Sequence, residues 1–338
     1  MFWRRLFLKR KGRYLFTGFF FNSFNSEPPA RHVFSFSIME EKKPVTALGL
    51  FNLFVVYIIW GSTYLAIRVA VREGSGFPPF MLGATRTLAS GSILLVWAFL
   101  IKGRKIPTRN EWLVIICSGL LLWIGGNGLV TWAEQRADSG FAALLLGTLP
   151  LWVALVESII DRRRPSLGLI GALMAGFSGL VILSLPTIRQ GTRADILSML
   201  ALLFAPLFWG CGSILLARRP VKTAPQALAG YQQLVGCIAF FLISLFFNEP
   251  PLQPAREAVF AWVYLVIAGG VCAFTAYMYA LKLLPTALVA TYAYVNPVIA
   301  VFLGWLILRE AITPWTILGA ALILLGVFGV FRVKTAAN

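Results

Sequence analysis

Ten apolar runs of about 20 residues, separated by short charged loops, are the feature that most narrows what this chain can become. A helix rises 1.5 Å per residue, so roughly 20 residues cross a hydrocarbon core near 30 Å thick. The runs fall at approximately 47–67, 79–101, 112–131, 139–160, 166–185, 195–216, 227–247, 259–281, 286–307 and 314–332. With 59% hydrophobic and 13% charged residues in 338, a soluble fold could not cover its own apolar surface. The expected fold class is an all-α polytopic membrane protein with ten transmembrane helices, and the short loops leave no room for a soluble domain.

The charges carry the orientation. Lys102, Arg104, Lys105 and Arg109 follow the second run, Arg162 to Arg164 the fourth, and Arg218, Arg219 and Lys222 the sixth. The opposite loops hold more acids, among them Glu73, Glu134, Asp138, Glu249 and Glu257. By the positive-inside bias, both termini face the cytoplasm. The net charge of +17 is then largely a topology signal, spread over alternate loops rather than gathered on one face, so no nucleic-acid partner is expected. Cys117, Cys211, Cys237 and Cys272 all lie inside apolar runs without C-x-x-C spacing and read as small packing residues. No metal and no cofactor is expected.

Residues 1–46 form a basic extension. Its start, MFWRRLFLKRKGRY, resembles a twin-arginine export signal, but further basic residues interrupt the apolar region such a signal needs. Two other readings of residues 1–38 stand beside it: a basic tail on anionic lipid, or translation from a start upstream of 39-MEEKKP-44.

Folded at about residue 190, the chain corresponds weakly with itself. Trp60-Gly61 matches Trp209-Gly210 at an offset of 149, while Pro150 matches Pro297 and Gly179 matches Gly326 at 147. The halves, 47–188 and 189–334, each hold five runs. Five is odd, so the second half enters the membrane from the opposite side to the first. Inverted repeats of this kind build transporters, with a path at their interface near the bilayer midplane. Pro150 and Pro297 fit that plan as helix kinks, since each removes a backbone donor and frees a carbonyl one turn earlier, tolerable only where protein or cavity water satisfies it.

The segment 277-YMYALKLLPTALVATYAYVNPVIAVFLGWLILREAITPWTILGAALILLGVF-328 resembles the closing part of an EamA domain, the five-helix unit of the drug/metabolite transporter superfamily. Pro285, Pro297, Glu310, Thr313, Gly319 and Gly326 carry the likeness, and Arg86, 142-AALLLGTLPLW-152, Gly171 and Gly179 repeat it in the first half. Arg163 stands where the counterpart of Glu310 would be, so that glutamate's role is not duplicated. The resemblance covers about residues 47–332. It implies a ten-helix inner-membrane permease of the drug/metabolite exporter type that moves small metabolites, often outward, through a cavity lined by the first, third, fourth, sixth, eighth and ninth helices.

Within that frame the candidate path residues are Trp60 and Tyr64 on one face of the first span, Tyr292 and Asn296 on one face of the ninth, with Asn127, Trp209 and Tyr277. Their rings offer apolar contact with a polar tip, as an amphipathic ligand requires. Arg86 is the one basic residue well inside a span and would hold a substrate carboxylate or be tied to helix-end carbonyls. Gln232, with Tyr231 and Gln233, stands in its counterpart region. Near span ends, Trp112, Trp132 and Trp315 read as interfacial anchors and Glu157 as a cytoplasmic-end residue. Thr313 and Pro314 read as the start of the last helix, and the files Gly168, Ala172, Gly176 and Gly171, Ala175, Gly179 as packing surfaces.

The expected partners are a small-molecule substrate and the bilayer, with a second copy of the chain, as a homodimer, a further candidate. An intramembrane serine enzyme is the weaker rival: 176-GFSG-179 has the right letters, but the sole histidine, His32, lies in the extension. A membrane scaffold or sensor without a wet path is the other. Facilitated diffusion and proton exchange both remain open, and no P-loop for ATP is present. Deleting residues 2–38 is expected to leave membrane insertion intact, measured as carbonate-resistant membrane yield; loss of assembly would refute the dispensable reading.

Overall fold

The structure, a computed structural model, describes residues 44–102, 106–137, 139–189, 195–308 and 313–336. The expectations for residues 1–38 and Glu310 lie outside them. The helices are α1 (Ala47–Val71), α2 (Pro79–Lys102), α3 (Arg109–Gly119), α4 (Leu129–Ala133), α5 (Ser139–Leu146), α6 (Leu149–Asp161), α7 (Leu167–Arg189), α8 (Ile196–Arg218), α9 (Pro225–Phe246), α10 (Arg256–Tyr264), α11 (Phe274–Leu283), α12 (Thr286–Val289), α13 (Tyr292–Leu308) and α14 (Pro314–Ala336). They make ten spans. Nine are long apolar helices among the described residues, and the ninth span is apolar helix over Thr286–Ile299.

Short polar residues set the helix starts. Thr46 accepts from the Gly49 N–H, Asp195 from Ser198, and Thr108 forms a reciprocal capping box with Glu111. Thr313 accepts from the Thr316 N–H at 3.2 Å, and Pro314 opens α14, as the sequence suggested. Large apolar side chains such as Phe51, Leu100, Phe246 and Phe328 point outward, where lipid would solvate them.

The packing has one logic throughout. The first span lies against the eighth and ninth, and the sixth against the third and fourth. Exchanging the halves turns the first set of contacts into the second. The second span pairs with the seventh and the fifth with the tenth, pairs that the same exchange maps onto themselves. This is the contact pattern of two five-helix repeats in inverted orientation.

Gly76 shows how tightly the loops are set: its φ of +77° suits glycine, and a Cβ there would fall 1.9 Å from the Gln253 carbonyl oxygen. Glu249 caps the start of α2, accepting from the Phe80 and Met81 N–H groups at 3.0 and 2.9 Å. At the other end of the bundle, Glu111 accepts from the Lys222 N–H at 2.8 Å.

Small residues let the fifth and tenth spans touch backbone to backbone. A Cβ on Gly326 would lie 2.5 Å from the Gly176 nitrogen, and one on Gly179 would lie 2.7 Å from the Gly319 oxygen. Gly171, expected in the same packing file, instead faces open space, because its position on α7 turns away from α14. All four cysteines are free, and Cys272 is exposed rather than packed inside. Gly326→Val therefore has no flexible side chain to push aside and is expected to destabilise by about 1–3 kcal/mol, read as a lowered Tm in detergent. Gly171→Ala is the control and should leave Tm unchanged.

Candidate functional site

Among the described residues, four spans depart from regular α-helix, and they are the two that flank the first span and the two that flank the sixth. The third span carries a π-helical segment, Leu120–Gly128, and the eighth carries another, Leu265–Ala273. Each holds a glycine pair, Gly125-Gly126 and Gly269-Gly270. Wide π turns occur most often at functional sites. The fourth span breaks at Gly147–Thr148 and the ninth at Ala290–Thr291. At each break the threonine hydroxyl donates to the carbonyl three residues back, Thr148 to Leu145 at 2.7 Å and Thr291 to Leu288 at 2.6 Å.

The prolines expected as equivalent kinks stand differently against these breaks. Pro150 lies in the first turn of α6, where its missing N–H has no helical partner to lose. Pro297 sits inside α13, one turn further from its break. They share one outcome: Leu146 and Ala293, each four residues earlier, both line the same cavity.

That cavity, about 90 Å³ of space open to water centres, lies among the first, second, third, fourth, sixth, eighth and ninth spans. A water needs roughly 10–15 Å³ by this measure, so several fit. Of the sequence candidates, Trp60, Tyr64, Arg86, Asn127, Trp209 and Tyr292 line it. Trp60 is the hub, with ring centroids 5.4 Å from Trp209, 4.9 Å from Tyr277 and 4.9 Å from Tyr292. The paired Trp-Gly motifs of the two halves thus meet edge to face at the centre of the molecule.

Three candidates stand back from the wall. Tyr277 is 1% exposed; its hydroxyl accepts from Trp209 Nε1 at 2.8 Å and so props a wall residue from behind. Asn296 is fully buried behind Tyr292, and with its amide turned to satisfy both groups it donates to the Tyr292 carbonyl at 2.9 Å and the Tyr57 carbonyl at 3.3 Å. Gln232 faces the third span instead of the cavity, donating to Ser118 Oγ at 2.6 Å. Its neighbour Gln233, bonded to Ser90 and donating to the Gly270 carbonyl at 3.0 Å, ties the second, seventh and eighth spans together. The amide N–H groups of Gln232, Gln233 and, as turned, Asn296 are spent on the nearest carbonyl or hydroxyl, while Gln232 Oε1 is buried with no donor among the described residues.

Arg86 reaches the wall. It is 6% exposed, its Nη2 donates to Asn127 Oδ1 at 2.5 Å, and its guanidinium lies 5.3 Å from the Trp123 ring centroid. Trp123 and Thr63, which the sequence reading passed over, share helix faces with Asn127 and Trp60 at spacings of four and three.

The largest surprise is Glu134. Read from sequence as a loop acid, it is fully buried one residue beyond the end of α4, and neither carboxylate oxygen has a hydrogen-bond donor among the described residues. Burial pushes its carboxyl well above the usual carboxylate range, opposed by the charges of Arg68 and then Arg86. Arg68 itself donates to the main-chain carbonyls of Glu134 and, at 3.2 Å, Ala137. Elsewhere the ionic contacts are conventional, with Glu157 3.8 Å from Lys334 and Asp161 2.6 Å from Arg218. Ser178 of the GFSG stretch is exposed on α7, away from the cavity.

A model of the EamA-like transporter family matches residues 47–185 and again residues 196–332. The "Uncharacterized inner membrane transporter YedA" of Escherichia coli K12 is 34% identical over 260 residues, 76% of this chain and 82% of that one. The "Uncharacterized transporter YoaV" of Bacillus subtilis is 25% identical over 81% of this chain and 93% of its own. A solved crystal structure superposes with a TM-score of 0.69 at 21% identity, covering 86% of this chain and 98% of the other, a likeness of fold.

A cavity with room for several waters is open to thiol chemistry. With the four native cysteines replaced, Asn127→Cys is expected to react with a small polar maleimide markedly faster than Gln232→Cys, scored by mass shift in membranes. Equal rates would mean that the cavity wall is wrongly drawn.

Proposed function

The chain belongs to the EamA-like transporter family, and we propose that this inner-membrane transporter carries small amphipathic metabolites, amino acids or related solutes, outward by alternating access. The observation that carries this reading is the cavity at the meeting of the two halves, walled by Trp60, Arg86, Asn127, Trp209 and Tyr292. Its aromatic faces suit an apolar body, and Arg86 with Asn127 suits a carboxylate at one end. In this reading the chain divides into halves 47–188 and 189–334, both termini lie in the cytoplasm, and rocking of one half against the other exposes the cavity to each side in turn.

A scaffold would have no need for a polar path between its halves, and the buried arginine would be an unexplained expense there. Insertion scales put an arginine at the centre of a span at about 2.5 to 3.5 kcal/mol. A carrier uses that charge.

Vesicles containing the purified chain, screened with labelled amino acids, nucleosides and organic cations with and without a pH gradient, test the proposal. Flux above empty vesicles is the expected result, and no flux of any of them sinks it. Arg86→Lys keeps the charge but loses the planar fork. For a carboxylate-bearing substrate its apparent affinity should fall roughly 10- to 150-fold, the worth of a charged hydrogen bond; unchanged affinity and rate in a folded variant would remove the carboxylate role.

A further inference from the structure

Glu134 is the one carboxylate among the described residues that is buried with no donor on either oxygen. Compare Asp161, which takes both forks of Arg218 at 2.6 and 2.8 Å, or Glu249, which takes two backbone N–H groups. Its place one residue past the third span is informative. Val130 and Asn127, four and seven residues earlier, lie on the same helical face and line the cavity. Glu134 follows the last turn with φ −67° and ψ −7°, and the charge of Arg86 acts on its carboxyl. The elements packed around it bring Arg68 and Tyr64 from α1 and Arg86 from α2, all of which feel its charge. From α8 the apolar cluster around the end of α4 takes in Ala201, Leu202 and Ala205, while the exposed Arg136 and Asp195 pair with each other at 3.7 Å.

Two arginines and one carboxyl therefore share a dry corner behind the cavity. Arg68 is occupied by the carbonyls of Glu134 and Ala137, which hold its guanidinium in place. Arg86 alone of the three presents to the cavity. When Glu134 is ionised it offsets the field of Arg86. Once it is protonated, that field is left for whatever anion enters. Proton binding at one site and anion binding at the other then favour each other, and the linkage is reciprocal.

We propose that Glu134 is a proton-binding site linked to Arg86, taking up one proton as a carboxylate-bearing solute enters the cavity and giving it up as the solute leaves. This rests on the transporter reading and deepens it: the cargo is a carboxylate accompanied by a proton, crossing together as the neutral acid. Outward flux then runs only where the solute's own gradient exceeds the inward pull on the proton, which makes the chain an overflow route for accumulated carboxylates.

The linkage is measurable without knowing the cargo. The full chain in phosphatidylethanolamine/phosphatidylglycerol nanodiscs is titrated between about pH 5 and about pH 9, following the infrared C=O band of protonated carboxyls. One titrating band should vanish in Glu134→Gln. Saturating benzoate should raise its midpoint by about 1 to 2 pH units, equivalent to roughly 10- to 100-fold tighter binding to the protonated form, and benzamide should leave it in place. Arg86→Gln, which keeps the glutamate, should raise the midpoint without ligand and abolish the benzoate shift, so the question survives if the Glu134 variant does not reconstitute. A band indifferent to Glu134, or a midpoint unmoved by benzoate or by Arg86→Gln, overturns the proposal. Because the band is read without transport, its failure is separable from failure of the vesicle flux.

Discussion

Hydrocarbon offers no hydrogen-bond partners, and that constraint organises this molecule. Wherever a span leaves α-helical geometry, a side chain, another backbone or cavity water has to satisfy the freed groups. Within the spans, the departures among the described residues fall in the third, fourth, eighth and ninth, whose irregular stretches face one shared cavity. Two threonines close the two helix breaks in the same way, and two glycine pairs mark the two π turns. Irregularity and cavity thus occur together, because backbone groups freed at that depth need protein partners or room for water.

The two halves share this backbone plan while differing in charge. Arg86 in the first half corresponds to the neutral Gln233 in the second, 147 positions on. Arg86 lines the cavity, whereas Gln233 is spent holding three spans together. Glu134 and Arg68 also belong to the first half alone. An inverted repeat with symmetric charges would present the same electrostatics to both sides of the membrane. Concentrating the ionisable groups in one half gives the cavity a polarity that the fold by itself does not possess.

Much of this was legible in the sequence, for identifiable reasons. Span existence follows from hydropathy, and Thr313 with Pro314 marked the start of α14 correctly because cap chemistry is local. Six of the nine candidate path residues line the cavity, since polar aromatics and one arginine inside apolar runs leave few other places to go. Gln232 and Asn296 were misplaced because a sequence shows that an amide is buried but not which neighbour takes its bonds. Glu134 escaped notice for a different reason: it sits in 131-TWAEQRADSG-140, which reads as loop, and only the packing of α1 and α8 over that stretch buries it. The π turns left no periodic signal at all, beyond paired glycines that are common in membrane helices.

Packing density and irregularity are segregated, and that bears on how such a molecule changes shape. The fifth and tenth spans meet through Gly176, Gly179, Gly319 and Gly326, where added atoms would strike backbone. Interfaces of that kind slide poorly, since close-packed surfaces resist partial displacement. The contacts pinning the two ends of the bundle are of another kind: the exposed Arg72–Glu257 pair and the loop bonds at Gly76 on one side, the Glu111–Lys222 contact on the other. Exposed ion pairs are typically worth about 0–1 kcal/mol, so the Arg72–Glu257 pair can be released at small cost. Bending at the π turns and helix breaks, with the glycine-packed pairs held fixed, is therefore the deformation that the alternating access proposed above would use at least cost.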